Sequence, residues 1–280
     1  MHRKIKDKGR IKMLYNYHTH TTFCDGDSSP EEIALYAIDR GFDAIGFSGH
    51  GNTPFDLRYC MADVEGYKSD IRRIKEKYKN KIQIYLGVEE DAFNPMNPRG
   101  DFDYIIGSSH YFCVDSKYYP IDSNAQYFEK CVEAFDNDVL KLAETYYETF
   151  CGYIEKRKPD IIGHFDLITK FDEIGVMRFL NNEKYFEIAQ KYTKEALKND
   201  IIFEVNTGAI IRGLRKDPYP HQRLLHIIKR SGGKVMLSSD SHSPDTLDAH
   251  FDEAKRILSD IGFDGVYVLY DNEFKKERIK

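Results

Sequence analysis

The chain has 280 residues, 41% hydrophobic and 31% charged, with a net charge of −5. That length suits one α/β unit of barrel size, and the slightly acidic balance argues against a partner held mainly by charge, whether nucleic acid or a membrane surface. Cys24, Cys60, Cys113, Cys131 and Cys151 are odd in number and widely spaced, so they read as reduced thiols, and no apolar run approaches the ~20 residues of a membrane span, so the expectation is a cytoplasmic protein.

Residues 1 to 12, MHRKIKDKGRIK, are basic with no apolar core behind them. They read as a solvated extension and not a signal peptide, and residues 13 to 280 read as the domain. A first strand is expected from about residue 13. Ser29-Pro30-Glu31-Glu32 then starts a helix: Ser29 can cap it, Pro30 suits its first position, Glu32 completes a capping box, and Gly41 can close it. DAIGFSGH is a buried strand ending at His50. Val64, Tyr67, Ile71, Ile74 and Tyr78 follow at helical spacing. IQIYLGVEE is a third strand and YIIGSSH a fourth, with DAFNPMNPRGDFD between them showing no helical period. Residues 124 to 156 read as helical, with an interruption near Asp136 to Asp138. DIIGHFD is a fifth strand, KYFEIAQKYTKEALKND a helix, IIFEVNTG a sixth strand, QRLLHIIKRSGG a helix, and KVMLSSDSH a seventh strand. TLDAHFDEAKRILSDIG is a last helix, with GVYVLY as a late strand. Strand and helix alternating about seven times imply a parallel sheet with crossover helices. With no linker-like break, the pattern suggests an irregular barrel.

YNYHTHTTFCDGDSSPEE, residues 15 to 32, spaces His18 and His20 two apart. In a strand such residues point to one face. Of the ten histidines, His18, His20, His50, His110, His164 and His242 all fall at or just past the end of an expected strand. Glu89 ends the third strand and Asp240 the seventh. In a barrel all these ends converge on the face that carries the active site. Imidazoles and carboxylates together suit zinc, manganese or iron, and six histidines with at least three carboxylates suit a cluster of two or three ions. Cys24 lies inside the first motif and reads as a small packed residue. Tyr67, Tyr78 and Phe186 on helices read as core.

The order of HTHTTFCDG, GFSGH, LGVEE, GSSH, GHFD and SSDSH resembles the PHP family, named for its polymerase and histidinol-phosphatase members. The resemblance spans residues 15 to 242 and implies a distorted (β/α)7 barrel with up to three metals. Carried over by position, it implies one metal on His18, His20, Glu89 and Asp240. A second would share Glu89 and add His110 and His164, and a third would take Asp25, His50 and His242. Glu90 and Asp27 are the competing neighbours of Glu89 and Asp25; the family pattern Gly-x-Glu selects Glu89. The stretches SSHYFCVDSKYYPID, GHFDLITKF and EVNTGAIIRGLRKDPYP look most like stand-alone histidinol-phosphate phosphatases. That likeness implies hydrolysis of L-histidinol phosphate by in-line attack of metal-held water. The alternatives are another small phosphorylated substrate, or a binding protein that keeps the fold and metals without turnover. Asp240 and His242 are candidates to pass a proton to the leaving alkoxide. A phosphate dianion should also meet a cation: Arg212 beyond the sixth strand, with Arg215 as its substitute and Lys170 after the fifth strand as a second candidate.

Overall fold

Seven parallel strands form one sheet in the computed structural model, which describes residues 13 to 279 except 97 and 176. The basic extension expected over residues 1 to 12 lies outside the described residues. From β1 (Tyr15–Asn16) the chain passes through α1 (Pro30–Asp39) to β2 (Ala44–Phe47), and through α2 (Val64–Tyr78) to β3 (Gln83–Asp91). Among the described residues only a 3-10 turn, Arg99–Asp101, separates β3 from β4 (Tyr104–Ser108), as the missing helical period predicts. A hairpin of β5 (Tyr111–Val114) and β6 (Lys117–Pro120) precedes α3 (Ala125–Ala134) and α4 (Val139–Arg157). Then come β7 (Ile161–Ile162), α5 (Glu183–Leu197), β8 (Ile202–Asn206), α6 (Gly208–Ile211), α7 (Gln222–Arg230) and β9 (Lys234–Ser238). The chain ends on α8 (Phe251–Ile261) and a hairpin of β10 (Gly265–Tyr270) and β11 (Glu273–Arg278).

The sheet order is β1-β2-β3-β4-β7-β8-β9, and every pairing is parallel. Its two edges meet beyond the regular strands. Thr19 bridges Ser241, the His20 amide donates to the Ser241 carbonyl at 2.8 Å, and the Ser241 amide donates to the His18 carbonyl at 3.0 Å. The sheet therefore curls nearly shut into a distorted (β/α)7 barrel. Ser29 and Glu32 form the expected capping box at α1. The break between α3 and α4 falls at Asp136 and Asn137, with φ of 54° and 63°, a region that Asp and Asn enter more readily than other side chains.

Tyr104 crosses the barrel interior and donates its hydroxyl to the Tyr17 carbonyl at 2.5 Å. A Cβ on Gly46 or Gly87 would come within 2.3 or 2.2 Å of that side chain, so β2 and β3 need glycine there. Outside the sheet, α1 and α2 pack Ile33, Tyr67, Ile71 and Ile74 against β2 and β3. On the other flank α4 and α5 bury Tyr146, Tyr147, Phe150 and Tyr185. Tyr67, Tyr78 and Phe186 are buried, as expected of core.

Two strands are shorter than the sequence pattern suggests. β1 stops at Asn16 and β7 at Ile162, so His18 and His20 sit past the regular pairing on either side of the Thr19 bridge, and His164 lies in a bend. The hairpin β5–β6 and strand β11 have no counterpart in the sequence reading. Both hairpins turn on non-glycine pairs with positive φ, Asp115-Ser116 and Asp271-Asn272, so the usual Asn-Gly or Asp-Gly signal is missing.

Candidate metal centre

All nine side chains expected to hold metal gather at the C-terminal rim of the barrel. His18 and His20 flank the bridged Thr19, and strand-like alternation turns both rings inward. His50 follows β2 and bridges Glu89 of β3. His110 follows β4, His164 follows β7, and Asp240 and His242 follow β9. Asp25 enters from the turn before α1. Asp240 has φ of 51°, an uncommon value for a non-glycine residue and one that clusters at functional sites.

The donor atoms form four overlapping groups: His20, Asp25, His50 and His242; His18, His20 and Asp240; His18, Glu89 and His164; and His50, Glu89 and His110. Glu89 is the hub. Its Oε2 lies 3.3 Å from His18 Nε2, 3.7 Å from His20 Nε2 and 2.9 Å from His50 Nδ1. Its Oε1 lies 3.2 Å from His110 Nε2 and 2.9 Å from His164 Nε2. His20 Nε2 is 3.0 Å from Asp240 Oδ1, and His242 Nε2 is 3.3 Å from Asp25 Oδ2. Two donors each ~2 Å from one tetrahedral ion stand roughly 3.3 Å apart, so this spacing fits cations between the side chains.

His18 Nε2, His20 Nε2 and Glu89 Oε2 are buried without a hydrogen-bond partner. Such atoms are costly to leave unpaired, and the three point at one another. Burial disfavours charge on Glu89, but the His18, His110 and His50 rings outweigh it and hold its carboxyl well below the usual range. Burial likewise opposes charge on His18, yet Glu204, Glu89 and Asp240 raise its pKa well above the ordinary value. His20 shifts the other way, because burial and the neighbouring His242 and His50 rings favour its neutral form. Asp240 stays ionised despite burial because Arg212 and His18 face it. A dense set of carboxylates and imidazoles, partly charged against each other, is what divalent ions would replace and neutralise.

The alternatives left open at two positions separate by geometry. Glu90 turns away from the cluster and is gripped by Arg157, with Nε to Oε2 at 2.8 Å, and by the Tyr153 hydroxyl at 2.7 Å. The Asp27 carboxylate bonds the Ser28 hydroxyl at 3.2 Å and joins none of the four groups. Cys24 lies 3.6 Å from His20 Nδ1. Burial, then Asp25, pushes its thiol up to about 12, so it is a packed neutral thiol.

Two carboxylates absent from the sequence reading stand behind the rim. Asp91 Oδ2 accepts from the His110 amide at 2.9 Å and lies 3.3 Å from His110 Nδ1. Glu204 Oε1 lies 2.5 Å from His18 Nδ1. The signal for Glu204 was a lone acidic residue inside the apolar run IIFEVNTG.

A cavity of about 650 Å³ opens over the cluster, walled by Asp56, Arg58, Tyr59, Asp122, Lys170, Arg212 and Tyr219 among others. Arg212 lies at the metal rim: Nη1 is 3.4 Å from Asp240 Oδ2 and Nη2 3.0 Å from His242 Nδ1. Lys170 lines the same cavity and donates to the Asp122 carbonyl at 2.8 Å. Arg215 does not line it, which corrects its placement as the substitute for Arg212. Its side chain is fully buried, 2.7 Å from Thr169 Oγ1 and 3.6 Å from Asp166 Oδ2, because Gly213, at φ 66°, turns the chain inward between the two arginines. Among the described residues no helix is long and apolar enough to cross a membrane.

A family model described as PHP domain matches residues 16 to 208. A Schizosaccharomyces pombe protein named "Probable histidinol-phosphatase" is 30% identical over 272 residues, covering 89% of this chain and 87% of its own. A Lactococcus lactis protein named "Histidinol-phosphatase" is 25% identical, covering 90% and 92%. Among solved structures, the histidinol phosphate phosphatase of Lactococcus lactis, complexed with zinc, L-histidinol and phosphate, superposes with a TM-score of 0.69 at 19% identity. That match covers 94% of this chain and 99% of the other, and at this identity the likeness is one of fold.

Proposed function

The chain belongs to the PHP domain family, and from that premise we propose that it is a metal-dependent phosphomonoesterase that hydrolyses L-histidinol phosphate to L-histidinol and phosphate. The observation that carries the reading is the gathering of nine imidazoles and carboxylates on one rim, five of the imidazoles around Glu89, under a cavity with Arg212 at its edge. Two or three divalent ions, zinc, manganese or iron, fit this donor set. When bound, such ions acidify water and neutralise charge on phosphoryl oxygens.

The protein's own groups do the rest. Glu89 and Asp240 hold negative charge between the imidazoles. Arg212, at the cavity wall beside Asp240 and His242, would meet a phosphate oxygen. Asp240 and His242, beside Arg212, are placed to hold or pass a proton near the leaving oxygen. The cavity wall carries both signs: Arg212 suits a phosphate, while Asp122, paired with Lys170 at 3.2 Å, and Asp56, paired with Arg58, would have to share those cations to receive an amine beside Tyr59 and Tyr219. An amino-alcohol phosphate bearing an imidazole has that distribution of charge.

The test is phosphate release from L-histidinol phosphate against a panel of other small phosphomonoesters, with the protein loaded in turn with Zn²⁺, Mn²⁺ or Fe²⁺. The expected result is a catalytic efficiency for L-histidinol phosphate at least tenfold above any other member. A higher efficiency on another ester would reassign the substrate, and no turnover with any metal would end the phosphatase reading.

A further inference from the structure

Glu204 is a carboxylate buried within β8, and four donors converge on it. Its Oε1 faces His18 Nδ1 at 2.5 Å and accepts from the Ser238 hydroxyl. Its Oε2 accepts from the His164 backbone amide at 2.7 Å and from Asn206 Nδ2 at 3.0 Å. One side chain thus spans the ends of β1, β7, β8 and β9. We propose that Glu204 is a positioning residue that fixes two parts of the metal cluster at once: Oε1 keeps the proton of His18 on Nδ1 and so presents Nε2 as a ligand, while Oε2 sets the backbone that carries His164. The proposal rests on the metal-dependent reading above.

The chemistry requires a carboxylate there. His18 Nε2 faces Glu89 and Asp240 at 3.3 and 3.6 Å, where a cation would sit, so its lone pair must be free. The proton must then be on Nδ1, and only an acceptor can meet it. A carboxylate offers acceptors to all four donors. A glutamine would turn its NH₂ against either His18 or the His164 amide. With the NH₂ toward His18, the ring would have to move its proton to Nε2 and lose its ligand atom. Among the described residues, Glu204 bonds His18, Ser238, Asn206 and the His164 amide, and makes no hydrogen bond or ion pair to Asp25, His50 or His242. Glu204 therefore serves the two groups that contain His18 and His164 and leaves the outer group of His20, Asp25, His50 and His242 alone.

The experiment titrates zinc into full-length wild type, Glu204→Gln and Ser238→Ala against a chelator of known affinity, and follows melting of the metal-free proteins. Ser238→Ala removes one donor to Glu204 Oε1 and no candidate ligand, so it remains informative where Glu204→Gln fails to fold. Outer partners of metal ligands typically contribute about 10- to 100-fold in affinity. The expected result is a loss of that size in Glu204→Gln at the inner zinc equivalents, a smaller loss in Ser238→Ala, and unchanged affinity for the outermost equivalent. Wild-type zinc affinity in every folded variant, or a loss confined to the outermost equivalent, overturns the proposal. If wild type takes up no zinc, and no manganese or iron in parallel titrations, the metal reading fails instead, which these wild-type titrations reveal before any variant is compared.

Discussion

Glu89 and Glu90 are adjacent on β3 and face opposite sides of the sheet: Glu89 sits among five imidazoles, and Glu90 is held by Arg157 and Tyr153 in the outer layer. The period of two along a strand makes this division, since a shift of one residue exchanges the faces. The two glutamates should fail in different ways. Glu89→Gln should release metal and reduce turnover by more than about 100-fold, beyond the 10- to 100-fold typical of a partner outside the ligand set. Glu90→Gln should keep its metals and instead lose about 3 kcal/mol of stability, because one member of a largely buried ion pair loses its counter-charge. Elemental analysis and thermal melting of both variants check this. Metal loss in Glu90→Gln with metal retained in Glu89→Gln would reverse the assignment.

Chelation supplies a second prediction. Ligands that bind only the folded state stabilise it, by about 4 kcal/mol at a thousand times Kd. In a chain of this size 1 kcal/mol moves Tm by roughly 2–4 °C. Metal-depleted protein should therefore melt roughly 8–16 °C lower than the loaded form, and a divalent ion should restore the difference. An identical Tm before and after depletion would show that the rim holds no ion tightly.

The third prediction concerns the surface where α1 meets α2. Glu31 accepts from Arg73 at 2.8 Å and from the Tyr78 hydroxyl at 2.6 Å, and pairs with Lys77. Lys77, then Tyr78 and Arg73, lower its pKa from 4.5 to about 2. A carboxyl whose folded pKa is depressed binds fewer protons in the folded state. Its contribution is therefore fully present above pH 4.5 and is lost as pH falls through about 2. Glu31→Gln should flatten the dependence of Tm on pH in that window and leave it unchanged near neutrality apart from a constant offset. Because the group is solvent-accessible, added salt should shrink the difference. Parallel pH dependences in the two proteins would show that this cluster is not coupled to folding.

Much of the rim is legible in the sequence because its residues obey simple periodicities. His18 and His20 stay on one side through alternation even though β1 ends at Asn16, and His50, His110 and His242 lie where parallel strands must end together. Glu204 is hidden for a related reason. β8 is buried on both faces, so no alternation marks which side chain faces the barrel interior. Arg212 and Arg215 are three residues apart in a polar segment, and only the positive φ of Gly213 separates one at the cavity from one in the core. Both unforeseen hairpins turn on side-chain-bearing residues with positive φ, a conformation that composition does not report.

Arg212 is the residue on which the phosphate reading can be tested most directly. Its contacts to Asp240, 3.4 Å to Oδ2 and 3.3 Å to the carbonyl, lie beyond the usual range for N–H···O bonds, and its 3.0 Å contact to His242 Nδ1 is the one a phosphate oxygen would have to match. Hydrogen bonds to charged groups contribute about 1.5–3 kcal/mol, and each ~1.4 kcal/mol is about tenfold. Arg212→Ala should lower kcat/KM roughly 10- to 150-fold at unchanged metal content. Arg212→Lys should recover only part of this, because lysine keeps the charge without the planar pair of donors that matches phosphate. Arg215→Ala is unsuitable as a control: it would leave Asp166 buried without its cation, and its effect would be on stability. Arg223, paired with Glu183 on the surface, is the neutral comparison, and Arg223→Ala should leave kcat/KM unchanged. Assays at fixed ionic strength separate the clamp from general attraction of the anion, since raising salt weakens only the latter steeply. Full efficiency in Arg212→Ala with metals retained would remove Arg212 as the phosphate clamp and leave Lys170, the other candidate cation on the cavity wall, to be tested by Lys170→Ala under the same conditions.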